Sequence, residues 1–303
     1  MSSSLSRREF LAATAASALA FSGSAAAQGA SLAPPPVCVF SKHLQHLTTY
    51  RALATQVKRL EFDGVDLTVR EGGHVLPDRV AEDLPRAVEV LCAEGIEVPM
   101  ITTRIADGRD ATARSILEAA SKLGIKFVRI GGHRYPPMGD PIARIEACAK
   151  DMGPLVELLD EFDMYAGYHN HSGMLNVGAP VWDLHYLFEA VGSPRLGANF
   201  DLGHAMVEGT FGDWQITTRL MTRHAKMMSV KDFVWNGAQP KWTPLGEGIV
   251  PITEILRLFW HARFNGPISI HFEYDMGDIP AAMDHMAADL ATLRGCLREA
   301  GYA

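Results

Sequence analysis

From residue 37 onward the chain alternates between two patterns of apolar and polar residues. Short apolar, strand-like runs fall near 37–41, 62–69, 96–103, 125–131, 165–171, 196–201, 226–232 and 267–273. A segment with helical period follows each, at roughly 46–60, 79–94, 110–123, 141–162, 180–191, 213–224, 251–263 and 280–299. In 79–94 the stripe is clear: Val80, Leu84, Ala87, Val88, Val90 and Leu91 share a face, and Arg79, Glu82, Asp83, Arg86 and Glu89 lie outside it. Gly95, Gly124 and Gly192 stop three of the helices. Eight β-then-α units with nothing left over predict an α/β protein with a single (β/α)8 TIM barrel. A doubly wound open sheet is the alternative. It usually has fewer strands and often a Gly-rich first turn, and none follows the first strand here.

The strands carry polar residues on the face that a barrel turns inward. In Ile268-Ser269-Ile270-His271-Phe272-Glu273, the apolar residues point one way and Ser269, His271 and Glu273 the other. That is backwards for a sheet resting on an oily core. It suits a closed barrel whose outer face packs on helices and whose inner face converges on a site.

The residues before the first strand read differently. Ser6-Arg7-Arg8-Glu9-Phe10-Leu11 is a twin-arginine pattern, an Ala-rich apolar stretch runs from Phe10 to Phe21, and Ala25-Ala26-Ala27 offers a small-residue cleavage site. The apolar run is much shorter than the ~20 residues of a membrane helix, so it reads as a signal and not as a stable membrane anchor. The expected organisation is a signal peptide over 1–27, a proline-containing linker over 28–36 and the barrel over 37–303. The expected partner of the precursor is the twin-arginine (Tat) export machinery. The expected location of the mature protein is the periplasm or outside the cell.

Composition changes the picture in two ways. The 303 residues carry a formal charge of −7 with no basic run, which argues against a nucleic-acid partner. The four cysteines (Cys38, Cys92, Cys148 and Cys296) form no CxxC pair, and their scatter reads as buried core thiols.

In a (β/α)8 barrel the active site lies at the C-terminal ends of the strands. Parity nominates Lys42 at the end of strand 1, Asp66, Thr68 and Arg70 on strand 2, and His133 and Arg134 beyond strand 4. It then nominates His169 and His171 on strand 5, Asp201 with His204 one turn on, Ser229 and Lys231 on strand 7, and His271 and Glu273 on strand 8. A lone barrel histidine is more often a satisfied core residue than a ligand, but His169 and His171 beside Asp201 form a cluster. Glu273 at the end of an inward-polar strand needs a cation or metal partner. Lys231 reads equally as a structural partner of Asp201 or Glu273 and as a substrate contact. Arg70 and His74 flank a Gly-rich turn that permits close backbone approach. Lys42, Arg70, His74, His133, His171 and His204 are the candidate substrate contacts, and Lys42, Arg70, His74, His133, Arg134 and Lys231 give the pocket a cationic lining that suits an anionic or polyhydroxylated substrate.

These marks resemble the xylose-isomerase-like TIM barrels, the sugar phosphate isomerase/epimerase family. The most specific are the D-x-x-H of Asp201 and His204, Lys231-Asp232, the Gly246-Glu247-Gly248 loop and the terminal Glu273. The resemblance implies a divalent metal (Mn, Mg, Co or Zn) held by a strand-5 Glu, the strand-6 Asp, a strand-7 His and the strand-8 Glu. Asp201 and Glu273 match that pattern. His169 stands in the place of the strand-5 Glu, and Ser229 in that of the strand-7 His. The expected metal set is therefore His169, Asp201 and Glu273, with His171 or His271 as a fourth donor, or the metal is weak or lost.

The resemblance implies a small-molecule sugar or keto-sugar substrate and metal-assisted enolisation. Glu273 or His169 would remove a proton, and Lys231 or His204 would stabilise the oxygen. Isomerisation and epimerisation share that step, and so does β-elimination, the lyase or hydratase outcome. The competing readings are a non-catalytic periplasmic sugar-binding barrel, motivated by Ser229, and a metal-dependent nuclease, which needs more ligands and a basic face.

Overall fold

The computed structural model describes residues 32–303, so the twin-arginine pattern and the cleavage site lie outside the described residues. Eight parallel strands close into a barrel: β1 (Val37–Phe40), β2 (Gly64–Thr68), β3 (Glu97–Thr102), β4 (Phe127–Ile130), β5 (Tyr165–His169), β6 (Leu196–Asp201), β7 (Ala225–Val230) and β10 (Ile268–Ile270). The seam joins β1 to β10, with Val37 beside Ile268 and Val39 beside Ile270. The helices α1 (Tyr50–Arg59), α2 (Val80–Ala93), α3 (Ala113–Lys122), α4 (Pro141–Glu161), α5 (Trp182–Val191), α6 (Leu202–Gly209), α7 (Trp214–Met221), α8 (Ile252–His261) and α9 (Ile279–Ala300) complete the fold. No helix among the described residues is long and apolar enough to cross a membrane.

The core sits between the strands' outer face and the helices. Leu53 and Val57 of α1, Leu84, Ala87 and Leu91 of α2, and Leu256 and Phe259 of α8 are fully enclosed there. The inner face is polar, as the alternation predicts. Asp66 is held in the barrel by Thr102 Oγ1 (2.7 Å) and Ser269 Oγ (2.8 Å), and Ser41 and Thr68 share a hydrogen bond of 3.1 Å. Of the four thiols expected in the core, Cys38 and Cys148 are buried, Cys296 on α9 is half-buried and Cys92 on α2 is exposed.

Three features depart from the simple repeat. The strand near 267–273 is only three residues long, so His271 and Glu273 lie past its end. A short helix, α6, grows directly from β6, with Asp201 as its N-cap accepting the His204 N–H. After β7 the chain forms a hairpin of β8 (Asp232–Asn236) and β9 (Gln239–Thr243). Its two-residue turn begins at Gly237, with φ 62°, the conformation a type II′ turn asks of its first central residue.

Candidate active site

Asp201 organises the mouth of the barrel. Its backbone is clamped by Asn170: the Asp201 N–H donates to Asn170 Oδ1 (2.7 Å), and Asn170 Nδ2 donates to the Asp201 carbonyl (2.9 Å). Asp201 Oδ1 caps α6 by accepting the His204 N–H at 2.7 Å. That leaves Oδ2, buried and without a hydrogen bond of good geometry. Around it stand Lys231 Nζ at 3.2 Å, His271 Nδ1 at 3.6 Å and His169 Nε2 at 3.7 Å. Burial pushes the Asp201 carboxyl up, and the Lys231 ammonium opposes that.

Lys231 is enclosed, and its Nζ lies 2.6 Å from His204 Nε2. An ammonium has only donors, so His204 Nε2 accepts, and its Nδ1–H then donates to Ser172 Oγ at 2.8 Å. Lys231 Nζ also sits 4.4 Å from the centre of the Trp242 ring on β9. Gly203 makes this packing possible: a Cβ there would lie 2.6 Å from Lys231 Cγ and 3.0 Å from the Trp242 ring. Burial lowers the basicity of Lys231, with Asp201 pulling the other way. Burial holds His169, His204 and His271 well below the ordinary imidazole range; Arg129 adds to this for His169 and His271, and Lys231 for His204. All three are neutral at neutral pH.

The candidates named from the sequence divide into groups. His169, Asp201, His204 and Lys231 meet, and His171 lies against His204 with ring centres 3.9 Å apart and the planes tilted by 35°. Glu273 takes a different place: it pairs with Lys42 at 3.1 and 3.2 Å, at the partly exposed rim. Burial alone would raise its carboxyl, but Lys231 and Lys42 outweigh that and hold it below the usual range. His74 is tied to Thr68, its N–H donating to Thr68 Oγ1 at 3.0 Å. Arg70 and His133 line a cavity beside His169. Asp232 is enclosed and accepts the N–H groups of Phe233, Gly246, Gly248 and Val250 at 2.8–3.0 Å, so it anchors the Gly246-Glu247-Gly248 loop.

Several participants escaped the sequence reading. Asn170 lies between two conspicuous histidines, and its clamp on Asp201 is visible only once β5 and β6 pair. Arg129 is inward by parity on β4, which was the available signal. His43 accepts the Phe272 N–H at 3.2 Å and fixes the segment leading to Glu273.

The donor set suits a divalent metal. His169, Asp201 and His204 bring ligand atoms within 4.8 Å of one another, the imidazoles are neutral, and Asp201 Oδ2 lacks a hydrogen-bond partner. Glu273 is not in that group, because its carboxylate is turned to Lys42. Lys231 is the competing feature, since its ammonium faces the same Asp201 oxygen. A second such group, His185, Glu189 and His224, lies on α5 and just before β7, at the opposite end of the barrel.

Comparison with known proteins agrees with the barrel. A search of curated protein sequences finds no match. Among solved structures, the probable 3-DHS dehydratase AsbF from Bacillus anthracis superposes with a TM-score of 0.68 at 16% identity, covering 86% of this chain and 98% of that one. D-psicose 3-epimerase from Clostridium cellulolyticum H10 gives 0.66 at 10% identity, covering 86% and 99%. A xylose isomerase-like TIM barrel protein from Mycobacterium smegmatis, solved in complex with magnesium, gives 0.66 at 16% identity, covering 86% and 97%. At these identities the likeness speaks for the fold alone. The family model is more direct, because it matches residues 54–296, from α1 through most of α9. The chain belongs to the xylose isomerase-like TIM barrel family.

Proposed function

We propose that this protein is an enzyme acting on a small sugar or keto-sugar by enolisation, as an isomerase or epimerase. The observation that carries the reading is the enclosed Lys231 ammonium between Asp201 Oδ2 and His204 Nε2, facing neutral His169 across the barrel mouth. Enolisation needs a donor for a developing oxyanion and a neutral base beside a C–H bond. Lys231 is the donor, with Asp201 holding it in place. His169 is the base; Glu273, paired with Lys42, is the alternative base named from the sequence. His204 passes protons between Lys231 and Ser172 through its two ring nitrogens.

In a metal-bound form, a divalent ion held by His169, Asp201 and His204 would polarise the carbonyl and its neighbouring hydroxyl; His169 would then have no free lone pair, and Glu273 would be the base. A second reading, β-elimination by a lyase or hydratase, is favoured by one observation. Asp201 is the only carboxylate within that group, so no symmetric carboxylate pair flanks the reacting carbon as a two-sided epimerisation would require.

The test is proton exchange. The full chain is incubated with a panel of keto-sugars in heavy water, and deuterium uptake beside the carbonyl is followed by NMR. An active substrate should lose exchange by about 10²–10⁴-fold in His169→Gln, the range of general acid/base catalysis. Lys231→Met should fall comparably. Near-full exchange in His169→Gln combined with loss in Glu273→Gln would move the base to Glu273. Elimination products in place of epimers would select the lyase reading.

A further inference from the structure

Beside His169 the barrel mouth opens into a cavity of about 350 Å³, the lower end of the range for small-molecule sites. Its wall carries Arg70, Arg104, Arg129 and Arg134, one each from the segments after β2 and β3, from β4, and from the loop beyond β4. No aspartate or glutamate lines it. Only Arg134 has a hydrogen-bonded partner for its guanidinium among the described residues, the Met174 carbonyl at 3.2 Å. Arg129 is the telling one. It reaches across the barrel to lie 5.5 Å from the Phe40 ring, the same ring that Arg70 approaches at 5.6 Å, and its Nη1 is shielded from water with no partner.

Arg129 as a whole is half-buried, and a guanidinium nitrogen shielded from water without a partner is costly. The carboxylates that act on Arg129 are Asp66, Asp201 and Glu273, and each is already engaged. Asp66 accepts from Thr102 and Ser269, Asp201 from the His204 N–H with Lys231 beside it, and Glu273 from Lys42. Arg70 and Arg104 repel one another across the same space. Of the three carboxylates only Asp66 lacks a lysine partner, and its single charge does not balance the guanidiniums of Arg70, Arg104 and Arg129 around the cavity. Guanidinium forks match the planar or tetrahedral oxygens of carboxylate and phosphate.

We propose that this cavity is an anion subsite, in which Arg129, Arg70 and Arg104 bind a carboxylate or phosphate carried by the substrate. The reacting carbonyl of that molecule then lies toward His169, which borders the cavity. The substrate class is an acidic sugar derivative, a keto-sugar acid or a sugar phosphate, rather than a neutral sugar. Naming a substrate rests on the enolisation reading, whereas anion binding itself does not.

The experiment measures binding, not turnover. The full chain is titrated by calorimetry with glucuronate, inorganic phosphate and neutral glucose, in a buffer without competing anions. At least one anion should bind about tenfold or more tighter than glucose, and the preference should shrink as sodium chloride is added. Glucuronate alone would identify a carboxylate, phosphate alone a phosphate, and both an oxyanion site of either kind; each supports the subsite. The preference should disappear in Arg129→Met and weaken in Arg104→Met. Arg104 is exposed, so its variant retains the fold if the Arg129 variant does not. Equal binding of glucose and both anions overturns the proposal, and so does a preference that survives in Arg104→Met and in a folded Arg129→Met. Anion preference without deuterium exchange on any keto-sugar would leave the subsite standing and sink the enolisation reading.

Discussion

Asp201 does two things with its two carboxylate oxygens. Oδ1 caps a helix, and Oδ2 faces Lys231 and two imidazoles. A divalent metal at Oδ2 would compete with Lys231, so Lys231→Met should bind manganese or zinc more tightly than the parent while losing turnover, as read by calorimetry and the exchange assay. Asp201→Ala should abolish any rise in melting temperature on adding metal, because a ligand that binds only the native state stabilises it; an undiminished rise would exclude Asp201 as a ligand. The buried histidines also set a pH dependence. Burial lowers His43 and His224 from 6.5 to about 4, and His169, His204 and His271 move in the same direction. The unfolded chain therefore binds more protons than the native one below 6.5, and stability rises with pH. It should be complete above about 6.5 and fall steadily toward pH 4. For His43 the cause is concrete, since protonation removes the lone pair that accepts the Phe272 N–H. Melting curves that stay flat between these limits would contradict the neutral state of these rings.

At the scale of elements, the segment after β7 does most to shape the site. Asp232 ends the run that carries Lys231 and gathers four backbone N–H groups from the hairpin and the Gly246-Glu247-Gly248 loop. Asp232→Ala would orphan enclosed donors, at a cost of about 3 kcal/mol or more. A melting temperature close to that of the parent would refute that anchoring role. The local signal for the hairpin was Gly237, but it falls in a segment that the repeat of one strand and one helix leaves as a loop after β7. The helix α6 was less legible. It begins where β6 ends, and nothing local separates the last strand residue from a helix cap.

At the scale of the whole molecule, closure of the β1–β10 seam brings Lys42 to Glu273, which are 231 residues apart. Side-by-side pairing of β2 to β5 brings the guanidiniums of Arg70 and Arg104, just past β2 and β3, and of Arg129 on β4 to one cavity beside His169. We propose that the molecule works outside the cytoplasm, delivered by its twin-arginine leader. Lysines in place of Arg7 and Arg8 should leave the precursor in the cytoplasm, as read by fractionation and by the size of the product. Normal processing near Ala27 in that double variant would refute the twin-arginine route.

The amino-acid sequence alone determined the barrel, because alternation at period two and stripes at period 3.6 are local properties that any closed packing must respect. It also determined which residues face inward, and hence that His169, Asp201, His204 and Lys231 share one end of the barrel. Only the tertiary structure decided their partners. Parity states which side of a strand a residue lies on, not how far its side chain reaches or which neighbour takes it. That is why Glu273 pairs with Lys42 at the rim while His204 joins Asp201 and Lys231 inside. It is also why Arg129, one inward residue among many, becomes a half-buried cation with an unpartnered Nη1 once eight strands have closed around it.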